Sequence, residues 1–394
     1  MIQFHWIKLN FTGALLRNNL WCMAKRRILD ANLILQVETT RETDPQLLEH
    51  INSTILGTPG GLRYQQTRIN EKLNHISDIH FMILTRQDKV LGSVGFIKRS
   101  IDFKTGKAVS WYIRYFSIKA PLRSGSYKRS KLREPSKGLN ILKDISFPYV
   151  KNPSRLLQDF DPDQKSLVYA YVENENLRSM NFSEQMEAVT VRKYTTIIFS
   201  RVFLKKISGI RRLLKEEVSK MKKLLRDFYK DHNFYIEENL FMDDNYFILE
   251  EDGEIIAGAQ VHPEIWKIMD MKGKYSRLLL RFLPLLPFIR RIFNPDSFKF
   301  LAMEGIWYKS GYEHKLNVLF EGLCSEFRVH FVLCWVDHDS KLNTDLSKNI
   351  NCGLIGNSFE RAGVDVRVTF NNFTEKEKQI FYERPAYISA FDMV

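Results

Sequence analysis

One stretch of the chain joins a strand-like segment to a helix through a short basic turn. Residues 109–118 alternate apolar and polar side chains, which is typical of a half-buried strand. Residues 133–138 follow as a turn of small and charged residues, and the apolar run 139–142 opens a helical pattern. The first N–H groups of a helix lack intrahelical partners and carry the positive end of its dipole. The sequence therefore predicts a cradle for a phosphate or pyrophosphate at residues 133–138.

Strand-like segments flank this turn on both sides. Upstream, residues 80–85 and 90–97 are apolar runs on either side of a polar turn, which predicts a β-hairpin. Downstream, residues 166–172 form another apolar run, and residues 190–201 form a further strand. This order of strand, turn and helix suits a nucleotide-like cofactor, so the sequence predicts a mixed α/β domain.

The arrangement resembles the acetyl-CoA-binding core of the GNAT superfamily of acyltransferases. The signature of that family is Gln/Arg-x-x-Gly-x-Gly/Ala at the start of the helix after the fourth strand. Arg133 matches the first position and Gly138 the last, while Ser136 stands where the first glycine is usual. The resemblance covers about residues 30–202. It implies that acetyl-CoA or another acyl-CoA is the cosubstrate, held by Arg133, Ser136, Lys137, Gly138 and Leu139.

A second family motif follows the strand at residues 166–172. Its pattern is Asn-x-x-Ala/Ser-x-x-apolar-Tyr, in which the Asn helps to hold the cofactor and the Tyr protonates the departing thiolate. Asn176, Ser179 and Phe182 match in register, whereas Ser183 occupies the Tyr position. The resemblance implies that Asn176 and Ser179 contact the cofactor. An Asn in the first turn of a helix is also a common cap, which is the alternative.

In the GNAT family the thioester carbonyl lies against backbone N–H groups where the fourth and fifth strands separate. Tyr112 and Tyr115 are candidate proton donors or acceptors that replace the residue missing at position 183. Aromatic residues on a strand more often belong to the core, and this alternative stays open. The resemblance implies further cofactor contacts from Phe116, Ser117 and Ile118.

The second half of the chain repeats the same order in weaker form. Residues 245–261 resemble a hairpin, residues 300–307 a fourth strand, residues 313–327 a helix and residues 329–336 the next strand. The chain is thus expected to hold two tandem GNAT-like domains. Tandem members of the superfamily commonly keep one cofactor site and use both domains to shape the acceptor groove.

Two carboxylates distinguish the second half. Glu304 lies where many GNAT enzymes place a general base, so it is a third candidate catalytic residue, with a structural carboxylate as the alternative. Aligning the two helices through Leu316 and Ile141 places Glu313 at the position of Gly138. Because a carboxylate there would repel a phosphate, only the first half is expected to bind CoA.

A basic segment lies between the two halves. Lys and Arg recur among Ile, Leu and Met over residues 202–229, which predicts a linker helix with a solvated basic face. An RNA-binding or membrane-surface helix is the alternative. We therefore expect an N-terminal extension at 1–29, an acyl-CoA-binding domain at 30–202, a basic linker helix at 203–232 and a degenerate second domain at 233–394, with an apolar insertion at about 263–296.

The chain is strongly basic. Its 394 residues include 59 Lys and Arg against 46 Asp and Glu, which gives a formal net charge of +13. This excess indicates an anionic partner or surface. CoA is polyanionic and accounts for part of it, while nucleic acid or anionic lipid remains an alternative. A hydrophobic content of 44% excludes a disordered chain.

Cysteine and histidine positions indicate a reduced protein without a metal site. The four cysteines are dispersed with no paired spacing, which is typical of a cytoplasmic protein. His330, Cys334 and His338 lie along one strand-like segment, where residues four apart are separated by about 13 Å and cannot converge on one ion.

The most apolar stretch, residues 278–289, is interrupted by Arg281 and two prolines and is too short to span a bilayer. It is expected to form a lid or to pack between domains, with a membrane surface as the alternative.

The resemblance implies an acyl-CoA-dependent N-acyltransferase that transfers acetyl to an amine acceptor. A non-catalytic acyl-CoA-binding module is the first alternative, favoured by the lost Tyr at position 183. A nucleic-acid-associated protein is the second, favoured by the charge.

Overall fold

The computed structural model describes residues 26–32, 35–103, 106–118, 137–273, 276–356 and 363–394. The strands of this part of the chain are β1 (Arg27–Ala31), β2 (Gln36–Thr40), β3 (Leu56–Gly57), β4 (Arg63–Gln66), β5 (Ile79–Arg86), β6 (Lys89–Phe103), β7 (Gly106–Ile118), β8 (Ser166–Glu173), β9 (Val189–Ser200), β10 (Ile210–Arg212), β11 (Tyr246–Glu251), β12 (Glu254–Asp270), β13 (Phe298–Tyr308), β14 (Phe331–Asp337) and β15 (Val364–Asn371).

Helices cover both faces of these strands, and several begin at the caps their sequences supply. Asp44 accepts a hydrogen bond from the N–H of Leu47 at the start of the first helix. The helices are α1 (Pro45–Asn52), α2 (Ile69–His75), α3 (Lys137–Lys151), α4 (Leu177–Gln185), α5 (Val218–Tyr229), α6 (Ser276–Phe282), α7 (Pro287–Ile292), α8 (Lys315–Phe327), α9 (Lys341–Asn349), α10 (Gly353–Gly356), α11 (Glu375–Glu383) and α12 (Ala390–Met393).

The two halves of the chain repeat one order of elements. The first half runs β5–β6–β7–α3–β8–α4–β9, and the second runs β11–β12–β13–α8–β14–α9–β15. Both predicted hairpins are confirmed, since β5 pairs with β6 and β11 with β12, each antiparallel. In each half the fourth strand then pairs in parallel with the strand after the helix, β7 with β8 and β13 with β14.

The final strands of the two halves are exchanged at the centre of one continuous sheet. The strand order is β1-β2-β5-β6-β7-β8-β15-β9-β14-β13-β12-β11-β10. β15 therefore lies between β8 and β9, and β9 lies between β15 and β14. Each half completes its sheet with a strand from the other, so the halves share one hydrogen-bonded framework.

Apolar side chains fill both faces of this sheet. Trp111, Phe96 and Val168 pack with Ile145 of α3 on one face of the first half. The opposite face of the sheet centre carries a cluster that includes Phe81 and residues of β14, β15 and α11. A core on each face is what a sheet sandwiched between helices requires.

Three predicted boundaries differ from the structure. The sheet begins at β1, so Arg27 and Ile28, which the sequence analysis assigns to the N-terminal extension, pair with β2. Residues 1–25 of that extension lie outside the described part of the chain. The basic segment is not one helix, because Ile210–Arg212 adds as an edge strand to β11 and helix α5 starts only at Val218. The insertion begins after Asp270, because β12 continues to that residue and pairs with β4.

Acidic neighbours offset part of the charge on the basic segment. Arg211 contacts Glu217 at 2.7 Å and Glu250 at 2.5 Å, and Arg226 contacts Glu237 at 2.5 Å. These pairs are typical of a solvated protein surface.

The C-terminal segment lies beneath the middle of the sheet and is fixed there by a buried ion pair. Arg99 of β6 donates two hydrogen bonds to the Asp392 carboxylate at 2.7 and 2.8 Å, and their side chains are 3% and 1% exposed. Arg114 of β7 donates to the backbone carbonyls of Phe391 and Val394. The first half of the chain thus binds the last residues of the second half.

We predict that Asp392→Ala destabilises the protein by about 3 to 5 kcal/mol, because it leaves the Arg99 guanidinium buried without its main partner. The matched control is Asp102→Ala, whose carboxylate is 78% exposed and 3.7 Å from an exposed Lys107. That change is expected to cost less than about 0.5 kcal/mol. Urea denaturation measures both values, and equal losses in the two variants would contradict this account.

Candidate functional site

β7 and β8 run parallel over a short ladder and then separate. The ladder ends at Tyr112 and Tyr169, although both strands continue beyond these residues. Two neighbouring strands that stop pairing while both continue must diverge. We call the resulting gap, between residues 113–118 of β7 and 170–173 of β8, the first notch. It lies where the GNAT resemblance led us to expect the fourth and fifth strands to separate.

β7 has a bulge at the edge of the first notch. Tyr115 and Phe116 lie together opposite the single residue Val94 of β6. The φ of Tyr115 is +54°, a conformation that bulky residues rarely adopt. A bulge leaves backbone groups outside the ladder. The bulge therefore interrupts the β6–β7 ladder at the edge of the first notch.

Tyr115 is a predicted catalytic residue, and its hydroxyl has no hydrogen-bond partner of regular geometry among the described residues. The oxygen is buried, and the group that interacts with it is the neighbouring Arg114 guanidinium. Burial raises the pKa of Tyr115 and Arg114 partly offsets this shift, so the hydroxyl keeps its proton at neutral pH. The Arg114 guanidinium lies over the ring, with Cζ 4.8 Å from the ring centroid. A buried hydroxyl of this kind has a hydrogen bond left to offer a ligand.

Tyr112, the other predicted tyrosine, has a structural contact instead. Its hydroxyl donates to the backbone carbonyl of Asp392 at 3.0 Å. Burial raises the pKa of Tyr112 well above its usual value. Of the two tyrosines, Tyr112 is the one whose hydroxyl has a backbone partner.

A buried ion pair near Tyr115 joins the two halves of the chain. Nζ of Lys72 on α2 lies 2.8 Å from Oε2 of Glu264 on β12, with side chains 6% and 4% exposed. Burial lowers the pKa of Lys72 to about 7; Glu264 opposes this shift and Arg114 adds to it. Glu264 also contributes to the raised pKa of Tyr115. Sequence reasoning missed this pair, whose one local signal was a carboxylate within an apolar strand.

The short hairpin of β3 and β4 connects the end of β8 to the second half. The Thr58 hydroxyl, just after β3, donates to the Glu173 carboxylate at the end of β8. Tyr64 of β4 stacks on Trp266 of β12, with ring centroids 3.8 Å apart. Both halves therefore build the surroundings of the first notch.

The predicted phosphate turn lies mostly outside the described residues. Arg133 and Ser136 fall there, and the structure begins again with α3 at Lys137. Gly138 and Leu139 lie in the first turn of this helix. The sequence predicts Gly138 in the turn before the helix instead. The helix itself is confirmed, while contacts of these five positions with CoA stay predictions.

The second predicted cofactor motif forms a helix cap. The Asn176 side chain accepts a hydrogen bond from the N–H of Ser179 at 3.1 Å, at the start of α4. The hydroxyl of Ser183 donates to the carbonyl of Met180 at 2.7 Å within the same helix. The Ser183 hydroxyl thus already donates a hydrogen bond within its own helix.

The remaining predicted contacts lie along the rim of the first notch. Phe116 is 37% exposed, and its ring centroid lies 4.8 Å from that of Phe182 on α4. Ser117 is buried, with its carbonyl 3.4 Å from Nε2 of His50, and Ile118 ends β7.

β13 and β14 separate in the same way in the second half. Their ladder ends at Met303 and Cys334, and both strands continue. We call the gap between residues 304–308 and 335–337 the second notch. Gly305 occupies the bulge there with a φ of +55°, as Tyr115 does in β7.

Tyrosine hydroxyls fill the second notch. Tyr387 accepts a hydrogen bond from the Gly305 N–H at 3.2 Å, and Tyr246 donates to the Gly305 carbonyl at 3.0 Å. Tyr229 donates to the carbonyl of Ile306 at 2.7 Å. The cavity that remains is about 20 Å³, enough for about one water molecule. The protein's own side chains thus occupy the position that a substrate carbonyl would take.

Glu304, the third predicted catalytic residue, is fully engaged by protein groups. One carboxylate oxygen lies 2.7 Å from Nε2 of His262 and accepts from the N–H of Phe391 at 3.1 Å. The other accepts from the Tyr387 hydroxyl at 3.0 Å. The side chain is buried, so its geometry is that of a structural carboxylate, not of a base facing an acceptor.

The second half also places a carboxylate before its helix. Glu313 accepts a hydrogen bond from the N–H of Gly311 at 3.2 Å, two residues ahead of α8. A backbone donor that could bind phosphate is thereby already paired with a negative charge.

No group of three or more His, Cys, Asp or Glu side chains that could hold a metal ion occurs in the described part of the chain. None of the helices described there is long and apolar enough to cross a membrane. Cys324, Cys334 and Cys352 are buried and form no disulfide among the described residues.

No protein-family model matches the sequence, and no curated protein matches it. Solved structures do match its fold. Saccharomyces cerevisiae N-myristoyltransferase with bound myristoyl-CoA aligns at a TM-score of 0.53 and 11% identity, over 88% of this chain and 86% of that chain. A second structure of that enzyme aligns at 0.53 and 10% identity, over 93% and 87%. A GCN5-related N-acetyltransferase from Sphaerobacter thermophilus aligns at 0.41 and 12% identity, over 79% and 82%.

The chain therefore has a GNAT-like fold, and the predicted fold class is confirmed. Within that class, most of the chain, including both halves, aligns with the structures of N-myristoyltransferase. The low identity limits this likeness to the fold.

We predict that His232, which lines the small cavity of the second notch, makes stability depend on pH. Its Nδ1 is buried without a partner among the described residues, and burial lowers its pKa to about 4. Between pH 6.5 and 4 the unfolded chain binds a proton that the folded protein does not, so stability falls as pH falls through this range. The expected loss is about 2 to 3 kcal/mol.

The variant His232→Phe removes the titrating imidazole. Comparing it with wild type therefore separates the effect of His232 from that of the carboxylates. The difference in unfolding free energy between wild type and variant should change across pH 6.5 to 4. A difference that stays constant over that range would contradict the assignment.

Proposed function

We propose that this protein is an acyl-CoA-dependent N-acyltransferase whose single cofactor site is the first notch. One observation carries the proposal. Of two equivalent notches, the first holds a bulge with a Tyr115 hydroxyl that has no regular hydrogen bond to a described residue, whereas Tyr387 occupies the bulge N–H of the second. The matched Saccharomyces structures contain myristoyl-CoA, which supports a CoA thioester as the ligand of this fold.

The reaction joins an amine to the acyl carbon. The amine nitrogen attacks the thioester carbon, the carbon–sulfur bond breaks, and an amide and CoA thiol form. The N–H groups at the bulge of Tyr115 and Phe116 would stabilise the negative oxygen of the tetrahedral intermediate. Tyr115, which burial keeps protonated, gives its proton to the departing sulfur and recovers one from the amine nitrogen.

Acetyl is the acyl group we propose, as the sequence resemblance implies. The acyl length of the matched enzyme differs, so acetyl-CoA and myristoyl-CoA are both test substrates. The second half is proposed to shape the acceptor side, since β12 contributes Glu264 and Trp266 beside the first notch.

One observation favours a second candidate, a non-catalytic acyl-CoA-binding module. Ser183, at the position of the family's proton donor, is buried and hydrogen-bonded within α4. That candidate predicts tight acyl-CoA binding without thiol release in the presence of any amine.

We predict one CoA site per chain by calorimetry, and Gly138→Asp should weaken it. A carboxylate about 4 Å from a phosphate charge costs on the order of 4 kcal/mol at an effective dielectric near 20, or roughly three decades of affinity. The helix should tolerate the change, because an acidic residue suits a first turn.

The control is Glu313→Gly, at the equivalent place in the second half, which should leave CoA affinity and stoichiometry unchanged. Two equivalents of CoA per chain, or an unchanged affinity in Gly138→Asp, would refute the single site.

We predict that Tyr115→Phe lowers kcat by about 100-fold or more while CoA affinity stays unchanged, because the thiolate loses its proton donor. Tyr112→Phe is the matched control, since it removes a buried hydroxyl on the same strand that already has a backbone partner. Thiol release is followed with acetyl-CoA and myristoyl-CoA against spermidine, a glycine-terminated peptide and phosphatidylethanolamine vesicles. Equal kcat values for Tyr115→Phe and wild type would exclude the assigned role.

A further inference from the structure

The insertion between β12 and β13 exposes a cluster of large apolar side chains. Eight such side chains in the described part of the chain are more than half exposed, and two of them, Ile28 and Leu177, lie elsewhere. The other six form what we call the apolar insertion surface. They are Phe203, 74% exposed, with Leu278, Phe282, Leu285, Leu286 and Phe288, which are 51–70% exposed.

The six side chains come from two parts of the chain, which meet where the ring of Phe203 lies beside that of Phe288. Five come from α6, α7 and the turn between them, and Phe203 follows β9 and lies 6.5 Å from Phe288 between ring centroids. Scattered apolar residues on a surface need no explanation, but a contiguous patch marks an interaction site. The lid or domain-packing role expected from the sequence stays a prediction.

The charge around the patch has one sign. Residues 271–295 contain six Lys and Arg and no Asp or Glu. Arg281, Arg290 and Arg291 are exposed, and none forms an ion pair with another described residue. Elsewhere on the surface basic side chains do find acidic partners, such as Glu237 for Arg226. Arg281, Arg290 and Arg291 thus remain available to an external anion.

Apolar side chains bordered by unpaired arginines are suited to the boundary between lipid headgroups and acyl chains. Leu and Phe enter the acyl region while arginine reaches the phosphates on its long stem. Pro284 and Pro287 divide the segment into short helices, which lie along a surface. Each basic residue near an anionic bilayer strengthens binding by a factor of about five.

We propose that the apolar insertion surface docks this protein onto a bilayer that contains anionic phospholipids. The start of the insertion lies close to the end of β8, because Lys272, just after β12, lies 3.5 Å from Glu175. Docking does not depend on the proposed acyl transfer. Failure of docking would leave the CoA stoichiometry and the effect of Tyr115→Phe untouched.

The test is sedimentation of the full chain with sucrose-loaded vesicles. Wild type should bind mixed phosphatidylcholine–phosphatidylglycerol vesicles more tightly than pure phosphatidylcholine, and added salt should weaken this binding. Leu285→Ser with Phe288→Ser should reduce the binding at least tenfold. Arg290→Glu with Arg291→Glu should reduce it by about 30-fold or more.

Matched controls change the same chemistry elsewhere. Arg86→Glu with Lys89→Glu alters the net charge equally at exposed positions of the β5–β6 turn, and Ile28→Ser removes an equally exposed apolar side chain. Both controls should bind vesicles like wild type. Leu285→Trp adds a reporter whose fluorescence should shift to the blue with anionic vesicles.

Three results would overturn the proposal. These are equal binding by the surface variants and wild type, an unshifted Leu285→Trp emission in the presence of vesicles, and a dimer in light scattering that the Leu285→Ser and Phe288→Ser changes dissolve. The last result would assign the surface to a second copy of the chain.

Discussion

The exchange of β9 and β15 at the centre of the sheet is the constraint on which the rest of the structure depends. Because β15 pairs with β8 of the first half and with β9, the chain after β15 must return beneath the centre of the sheet. It reaches both notches there. Tyr387 contacts the bulge of β13, and Phe391 and Val394 contact Arg114 of β7. Residues from both halves of the chain therefore surround each notch.

The same C-terminal segment makes the two notches unlike. Arg114 and Glu304 each precede the bulge of their strand, and both contact the backbone of Phe391. The Arg114 guanidinium donates to the carbonyl of Phe391, and the Glu304 carboxylate accepts from its N–H. The next residue is Tyr115 in one strand and Gly305 in the other. A Cβ at Gly305 would lie 2.7 Å from a Leu240 side-chain carbon, so glycine permits the close packing that fills the second notch. The first notch keeps a hydroxyl without a regular hydrogen bond to a described residue.

Local patterns predicted most strands, because the alternation of apolar and polar residues and the polar turns between strands are both visible within short segments of sequence. The hairpins, β7, β8, β13, β14 and α8 all lie close to their predicted places. What failed was long-range. Strand β15 was not predicted, and no local pattern states that it lies between β8 and β9. Edge pairing with β11 overrode the helical spacing of the basic segment. The Lys72–Glu264 pair joins residues 192 positions apart, so neither residue alone revealed it.

The most direct test of the central claim is a crystal structure with a non-hydrolysable acyl-CoA thioether. This account predicts one ligand per chain, with the acyl chain in the first notch, the sulfur near the Tyr115 hydroxyl and the pyrophosphate at the start of α3. Tyr387 should remain on the N–H of Gly305. A ligand in the second notch with Tyr387 displaced, or a ligand bound away from both notches, would contradict the division of roles between the halves.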